Sequence, residues 1–311
     1  MSTTSSAQAL SVDSLNKSYG SFEVLKNLDL ILNRGSILGL VGLNGSGKTT
    51  TIECILGLQN FNSGAVSLFD YSPSTLHQAK GKIVGIFDTP SLHPNLTVRQ
   101  SLQHAALLTD NQARSPERVE ELLSIEKFSN FKIRHLSLGN KRRASLAHAL
   151  LSNPDLIVLD EPFNGLDAGG VDDVLALIQR LNQEEGTTFL LSSHQLPYLE
   201  NICSHIAILH QGAIAVSGTI DSLLEDSKHT VLLRTEENVA AINYLQGRED
   251  VAVTNPDADG YIQLEITELN SADLNRQLIE NNIAVSELIL QKASLSNLFR
   301  TITSNPGEQQ S

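Results

Sequence analysis

The sequence predicts an α/β fold of the phosphate-loop type with a helical insert, followed by a small α+β, ferredoxin-like module. An apolar run at 37–41 enters the glycine loop "GLNGSGKTT" at 42–50 and leaves into the helical pattern "KTTTIECILGL". Strand, glycine loop and helix in that order are what a phosphate-binding α/β unit requires. The run "LIVLD" at 156–160 is apolar on both faces, as in a parallel sheet covered by helices. From residue 229 onwards strands and helices follow in the order βαββαβ.

Taken in order, residues 1–10 form a Ser/Thr-rich lead expected to be flexible, and 11–226 a nucleotide-binding domain. Its first part holds short β-rich runs, "LILNRGS", "ILGLVGL", "AVSLFD" and "KIVGIFD". At about 89–152 the texture becomes helical, with "TVRQSLQHAALL", "SPERVEELLSI" and "NKRRASLAHALLS". Ser115 is placed to cap the second of these, with Pro116 at its first helical position. After "LIVLD" come a helix over 170–182, the strand "TTFLLSS" and a helix near 196–203. The polar "EDSKH" connects to an accessory module at 229–303, whose turn is "PDADG", and 304–311 is expected to be disordered.

Composition sets limits. The 311 residues allow ample core, and 41% apolar with 18% charged residues is the balance of a globular protein. A net charge of −13 argues against broad nucleic-acid binding, which depends on cations that neutralise phosphates. The start "MSTTSSAQAL" has no basic flank or apolar stretch, so no secretory signal is expected. The apolar windows fall far short of the roughly 20 residues of a membrane-spanning helix. Cys54 and Cys203 are isolated within apolar segments, without metal spacing, and read as buried thiols of a reducing compartment.

The chemistry begins in the loop, which matches G-x-x-x-x-G-K-[ST]. Gly42, Gly45 and Gly47 let successive backbone N–H groups, with those of Leu43, Asn44, Ser46 and Thr50, converge on phosphate oxygens. The helix N-terminus adds its dipole. Lys48 supplies a point charge for the β- and γ-phosphates, and Thr49 a hydroxyl for Mg²⁺. ATP or GTP is therefore the expected ligand. Asp160, at the end of its strand, would hold Mg²⁺ directly or through water, and the adjacent Glu161 is placed to polarise the attacking water. His194 comes from another strand terminus, where ligands of open α/β sheets bind, though a surface role is an equal reading on these grounds. "RHLSLGNKRR" at 134–143 looks like a second small anion site at a helix start.

These elements in this order resemble the ATP-binding cassette ATPases over about residues 10–225. "KSYG" fits that family's adenine-stacking position, with Tyr19 as the ring. "LSLGN" corresponds to its signature, usually LSGGQ; "NGLD" with Asp167 to its D-loop; and "SSH" with His194 to its switch histidine. The resemblance implies that Ser137 and Gly139 contact the nucleotide of a second subunit, so the second cradle is half of a shared site. It implies ATP with Mg²⁺, a second cassette subunit in a homodimer, a separate integral membrane permease and no nucleic acid. It places the chain in the cytoplasm, peripheral on the inner face of the membrane, as the ATP-hydrolysing subunit of an export complex.

Two departures narrow the branch. Asp88 in "GIFDTPSLHPNLTV" stands where the family has Gln, and is either a direct or water-mediated Mg²⁺ ligand or a turn-former. Leu138 replaces the first signature Gly, a change that leaves the N–H available if the side chain points away from the nucleotide. Both features resemble the bacitracin- and lantibiotic-protection type, for which peptide antibiotics or drugs are the expected cargo. The accessory module resembles the extension of single-cassette exporters, including "SLSNLF" at 294–299. Alternatives are a catalytically weak partner in a heterodimer and a non-transport cassette protein. A GTPase is disfavoured, because the guanine-reading Asn-Lys-x-Asp is missing downstream.

Overall fold

Short runs of uninterrupted apolar residues build the central sheet. In the computed structural model, β3 (Ile37–Val41), β6 (Leu156–Asp160) and β7 (Thr188–Ser193) are buried along their whole length. The structure describes residues 8–88, 92–108, 114–225, 229–248, 250–254, 256, 260–266, 271–291 and 294–304. With β5 (Ile83–Ile86), β8 (His205–His210) and β9 (Ala213–Thr219), these strands form a six-stranded sheet of order β5-β6-β7-β3-β8-β9. The first four pairings are parallel, so β5, β6, β7 and β3 all end at one edge. Ligands of such sheets bind at that edge. The β8–β9 hairpin is antiparallel and was not anticipated.

A second, antiparallel sheet of order β2-β1-β4 is made by β1 (Gln8–Tyr19), β2 (Phe22–Asn33) and β4 (Ser63–Leu68). It buries one face of alternating residues, Leu25, Leu28, Leu30 and Leu32 in β2. Their core partners include Ile52 and Ile55 of α1 (Lys48–Ile55) and Leu38, Leu40, Leu156 and Val158 of the large sheet. Helix α1 therefore runs within this core, with its N-terminus aimed at the parallel-strand edge. Because β1 begins at Gln8, residues 8–10 are strand rather than the flexible lead expected; residues 1–7 lie outside the described part.

The insert contains α2 (Val98–Ala106), α3 (Pro116–Leu122) and α4 (Leu138–Leu150). Each starts on a side-chain cap: Thr97 Oγ1 accepts from Gln100 N, Ser115 Oγ from Arg118 N and Ser137 Oγ from Asn140 N. Between α2 and α3, Arg99 grips Glu120 through Nε (2.8 Å) and Nη2 (2.6 Å), and Glu120 is 1% exposed. This two-pronged pair satisfies a buried carboxylate that would otherwise be costly. Farther along, α5 (Ala168–Glu185) contacts β7, and α6 (Leu196–Ile202) contacts β3.

The chain divides into two compact units, Met1–Ile220 and Asp221–Ser311, a few residues before the polar connector and within α7 (Ile220–Glu225). The second holds β10 (His229–Thr235), α8 (Asn238–Leu245), β11 (Val251–Val253), β12 (Ile262–Ile266), α9 (Ser271–Glu280), β13 (Val285–Gln291) and α10 (Leu295–Ser304). Its antiparallel sheet has the order β11-β12-β10-β13, a ferredoxin-like arrangement with a core of its own around Val231, Leu233, Leu264, Leu274 and Leu278. The turn read at "PDADG" falls largely outside the described residues, as does the tail after α10. Among the described residues no helix is long and apolar enough to cross a membrane. Cys54 and Cys203 are buried free thiols, and burial pushes both up from the ordinary thiol pKa.

Candidate nucleotide site

The loop after β3 turns into α1 through Gly47, whose φ of 108° is left-handed and forbidden to ordinary side chains. Within it, Ser46 N donates to Leu43 O at 3.1 Å. The Ser46 hydroxyl is buried against Gly42, since a Cβ on Gly42 would lie 2.3 Å from Ser46 Oγ. Lys48, 6% exposed, donates from Nζ to Gly42 O (2.8 Å) and Leu43 O (3.3 Å). The same ammonium stands 3.3 Å from Glu161 Oε1. Asn44, Gly45, Gly47, Lys48, Thr49 and Thr50 line an open cleft.

The carboxyl ends of β6 and β7 complete that cleft with Asp160, Glu161 and His194, and Asn164 joins them from the following loop. Thr49 Oγ1 donates to Asp160 Oδ2 at 2.9 Å, while Asp160 Oδ1 accepts from Ser192 Oγ at 2.5 Å. A hydroxyl and a carboxylate side by side are hard oxygen donors, the set that suits Mg²⁺. Among the described residues no group of three or more His, Cys, Asp or Glu could hold a metal.

Glu161 has φ 47°, a strained left-handed value for a non-glycine residue. Its surroundings over-determine that conformation. Its N–H is shared between Ser192 O and Ser192 Oγ, each 3.1 Å away. Its carbonyl accepts from Arg142 Nη2 at 3.3 Å. Its carboxylate faces Lys48 and lies 3.1 Å from His194 Nδ1 through either oxygen. The carboxylate is thus held between two basic groups and directed into the cleft.

Asp88, at the end of β5, also lines the cleft, with its side chain half exposed. Its Oδ1 accepts from Arg142 Nη2 at 2.6 Å, and Arg142 Nη1 donates to Phe87 O at 2.9 Å. Two cations of the run Lys141-Arg142-Arg143 are therefore already paired. Arg142 is buried beside Asp88, and Arg143 pairs with Asp173.

The remaining predicted residues lie elsewhere. Ser137 and Gly139 sit at the start of α4 and are not among the residues that line the cleft. Leu138 lies over Gly165: a Cβ there would come within 2.2 Å of Leu138 Cδ2. Asp167 caps α5, its Oδ1 accepting from Gly170 N at 2.9 Å. Tyr19 ends β1, and Lys17 Nζ covers one face of its ring 4.5 Å from the centroid. The aromatic that lines the cleft is Phe22, its partner across the Gly20-Ser21 turn, with Val24 beside it. Sequence reading missed Phe22, Asn164 and Arg142. Only Phe22 left a signal, an aromatic beside "KSYG".

The family model described as ABC transporter matches residues 25–164. The "Uncharacterized ABC transporter ATP-binding protein YdbJ" of Bacillus subtilis (strain 168) is 31% identical over 304 residues, 96% of this chain and 97% of its own. The "Bacitracin transport ATP-binding protein BcrA" of Bacillus licheniformis is 30% identical over 92% of this chain and 94% of its own. A solved structure described as a dimeric post-hydrolysis state of the ATP-binding cassette MJ0796 bound to ADP and Pi covers 68% of this chain and 98% of its own. It aligns with a TM-score of 0.62 at 26% identity.

Proposed function

The chain belongs to the ATP-binding proteins of ABC transporters, which are ATPases, and on that premise we propose that it hydrolyses ATP as half of a homodimer driving a separate membrane permease. The observation that carries the proposal is one cleft at the ends of β3, β6 and β7. Lys48, Thr49, Asp160, Glu161 and His194 share it, while Ser137 and Gly139 stand outside it.

In this reading the loop N–H groups and Lys48 bind the phosphates. Phe22 and Val24 flank the end of the cleft where the base would lie, with Tyr19 at the neighbouring turn. Thr49 and Asp160 would hold Mg²⁺, which when bound offsets phosphate charge. Glu161 accepts the proton of the water that attacks the γ-phosphorus. The new P–O bond forms as the bond to the β-phosphate oxygen breaks, releasing ADP and phosphate. His194 keeps the Glu161 carboxylate aimed and meets the γ-phosphate. Ser137 and Gly139, with Asp167 nearby, serve the nucleotide of the second subunit. The dimeric cassette bound to ADP and Pi supports this pairing.

The relative named for bacitracin transport supports a peptide antibiotic or similar compound as cargo, and export is the direction proposed for it. The chain then sits in the cytoplasm, on the inner face of the membrane through its permease, with no nucleic-acid partner. Glu161→Gln is expected to cut ATP turnover by roughly 10²–10⁴ while ATP binding persists, as for loss of a general base. Undiminished hydrolysis would overturn the assignment. In the Glu161→Gln background ATP should double the mass measured by light scattering, and adding Ser137→Arg should abolish that dimer. Persistent dimers would remove the half-site reading.

A further inference from the structure

We propose that Arg142 is a positioning residue of the hydrolytic site, which neutralises Asp88 and holds the backbone of Glu161, so that Asp88 acts as the anion of an ion pair rather than as a Mg²⁺ ligand. The inference rests on ATP being bound and hydrolysed in the cleft described above.

Three carboxylates, Asp88, Asp160 and Glu161, line a cleft that must admit a triphosphate. Like charges brought together oppose ionisation and repel an anionic ligand. Two of the three have their own relief. Asp160 accepts from two hydroxyls, and Glu161 faces Lys48 and His194. Asp88 has Arg142, whose guanidinium is 4% exposed and 2.6 Å away.

Arg142 does more than pair. One end of its fork, Nη1, takes the Phe87 carbonyl, and Nη2 takes both the Asp88 carboxylate and the Glu161 carbonyl. A single planar cation thereby ties α4 to the end of β5 and to the end of β6. Glu161 is strained at φ 47°, and strain persists only where the surroundings enforce it. Its N–H is fixed by Ser192, and its carbonyl accepts from Arg142 and from Asn164 N, each at 3.3 Å, so the guanidinium is one of three partners that restrain this backbone. Lysine, a point charge without the fork, would not reproduce this geometry.

The test uses the full chain, with ATP affinity from equilibrium binding and KM, kcat and half-saturating Mg²⁺ from steady-state turnover. Arg142→Gln leaves Asp88 uncompensated and should raise both the ATP dissociation constant and KM about tenfold, the scale of a lost charge partner. Asp88→Asn in that background should return both to within about twofold of wild type, since residues in contact are non-additive. The kcat of the double variant should remain low, because the Glu161 carbonyl is still without its guanidinium. Asp88→Asn alone should leave half-saturating Mg²⁺ unchanged. Unaltered ATP affinity in Arg142→Gln, effects that simply multiply, or a raised Mg²⁺ requirement in Asp88→Asn would each overturn the proposal. If Arg142→Gln does not fold, the Mg²⁺ titration of Asp88→Asn still decides between ion pair and metal ligand. Failure of the wild-type chain to bind ATP would instead remove the reading beneath it, and binding without turnover leaves the affinity comparison intact.

Discussion

Leu138 stands where glycine is the usual residue, at the first turn of the helix that presents Ser137. Its side chain turns onto Gly165, in the loop leading to Asp167. Gly165 answers twice to this contact. It has no Cβ to meet Leu138 Cδ2, and its φ of 70° is one that L-residues adopt only under strain. Gly165→Ala should therefore cost about 1–3 kcal/mol, combining backbone strain and overlap. It is expected to lower the first thermal transition by several degrees. Leu138→Ala in the same chain should recover the overlap part and not the backbone part. Additive losses in the double variant would show that Leu138 does not rest on Gly165.

At the level of elements, legibility followed burial. β3, β6 and β7 are buried on both faces and appear in the sequence as short apolar runs between turns. Helix α3 was marked by Ser115 and Pro116, a cap and a first-turn residue that need no tertiary context. The β1–β2 hairpin was harder to see. It buries one face only, and register shifts between Val12 and Leu15 and between Leu15 and Lys17 break its alternation. The β8–β9 hairpin did carry a signal, since Gln211 and Gly212 both take positive φ at its turn. The same division holds at the site. Lys48, Thr49, Asp160 and Glu161 follow from local spacing around strand ends. Arg142 does not, because its meaning comes from Asp88, 54 positions away in the chain. In sequence it reads as the middle of a basic run. Which of Tyr19 and Phe22 reaches the cleft is a matter of side-chain direction, and spacing carries no information about that.

For the whole molecule, the division into units has a functional consequence. Every described residue that lines the cleft, from Phe22 to His194, belongs to the first unit. The second closes its own four-stranded sheet with no strand from the first and buries its own core. Its size is near the limit of roughly 60–80 residues below which a single core gives only marginal stability. Among the described residues, eleven buried apolar side chains, from Val231 to Ile283, supply that core. A fragment spanning 229–304 is expected to unfold in one cooperative thermal transition by circular dichroism. A chain ending at Glu225 should hydrolyse ATP within about threefold of the full chain, because the described residues that line the cleft all fall in the first unit. Non-cooperative melting of the fragment would mean that its core needs the first unit. Loss of hydrolysis in a folded, shortened chain would mean that the second unit supports the site, either directly or through the dimer.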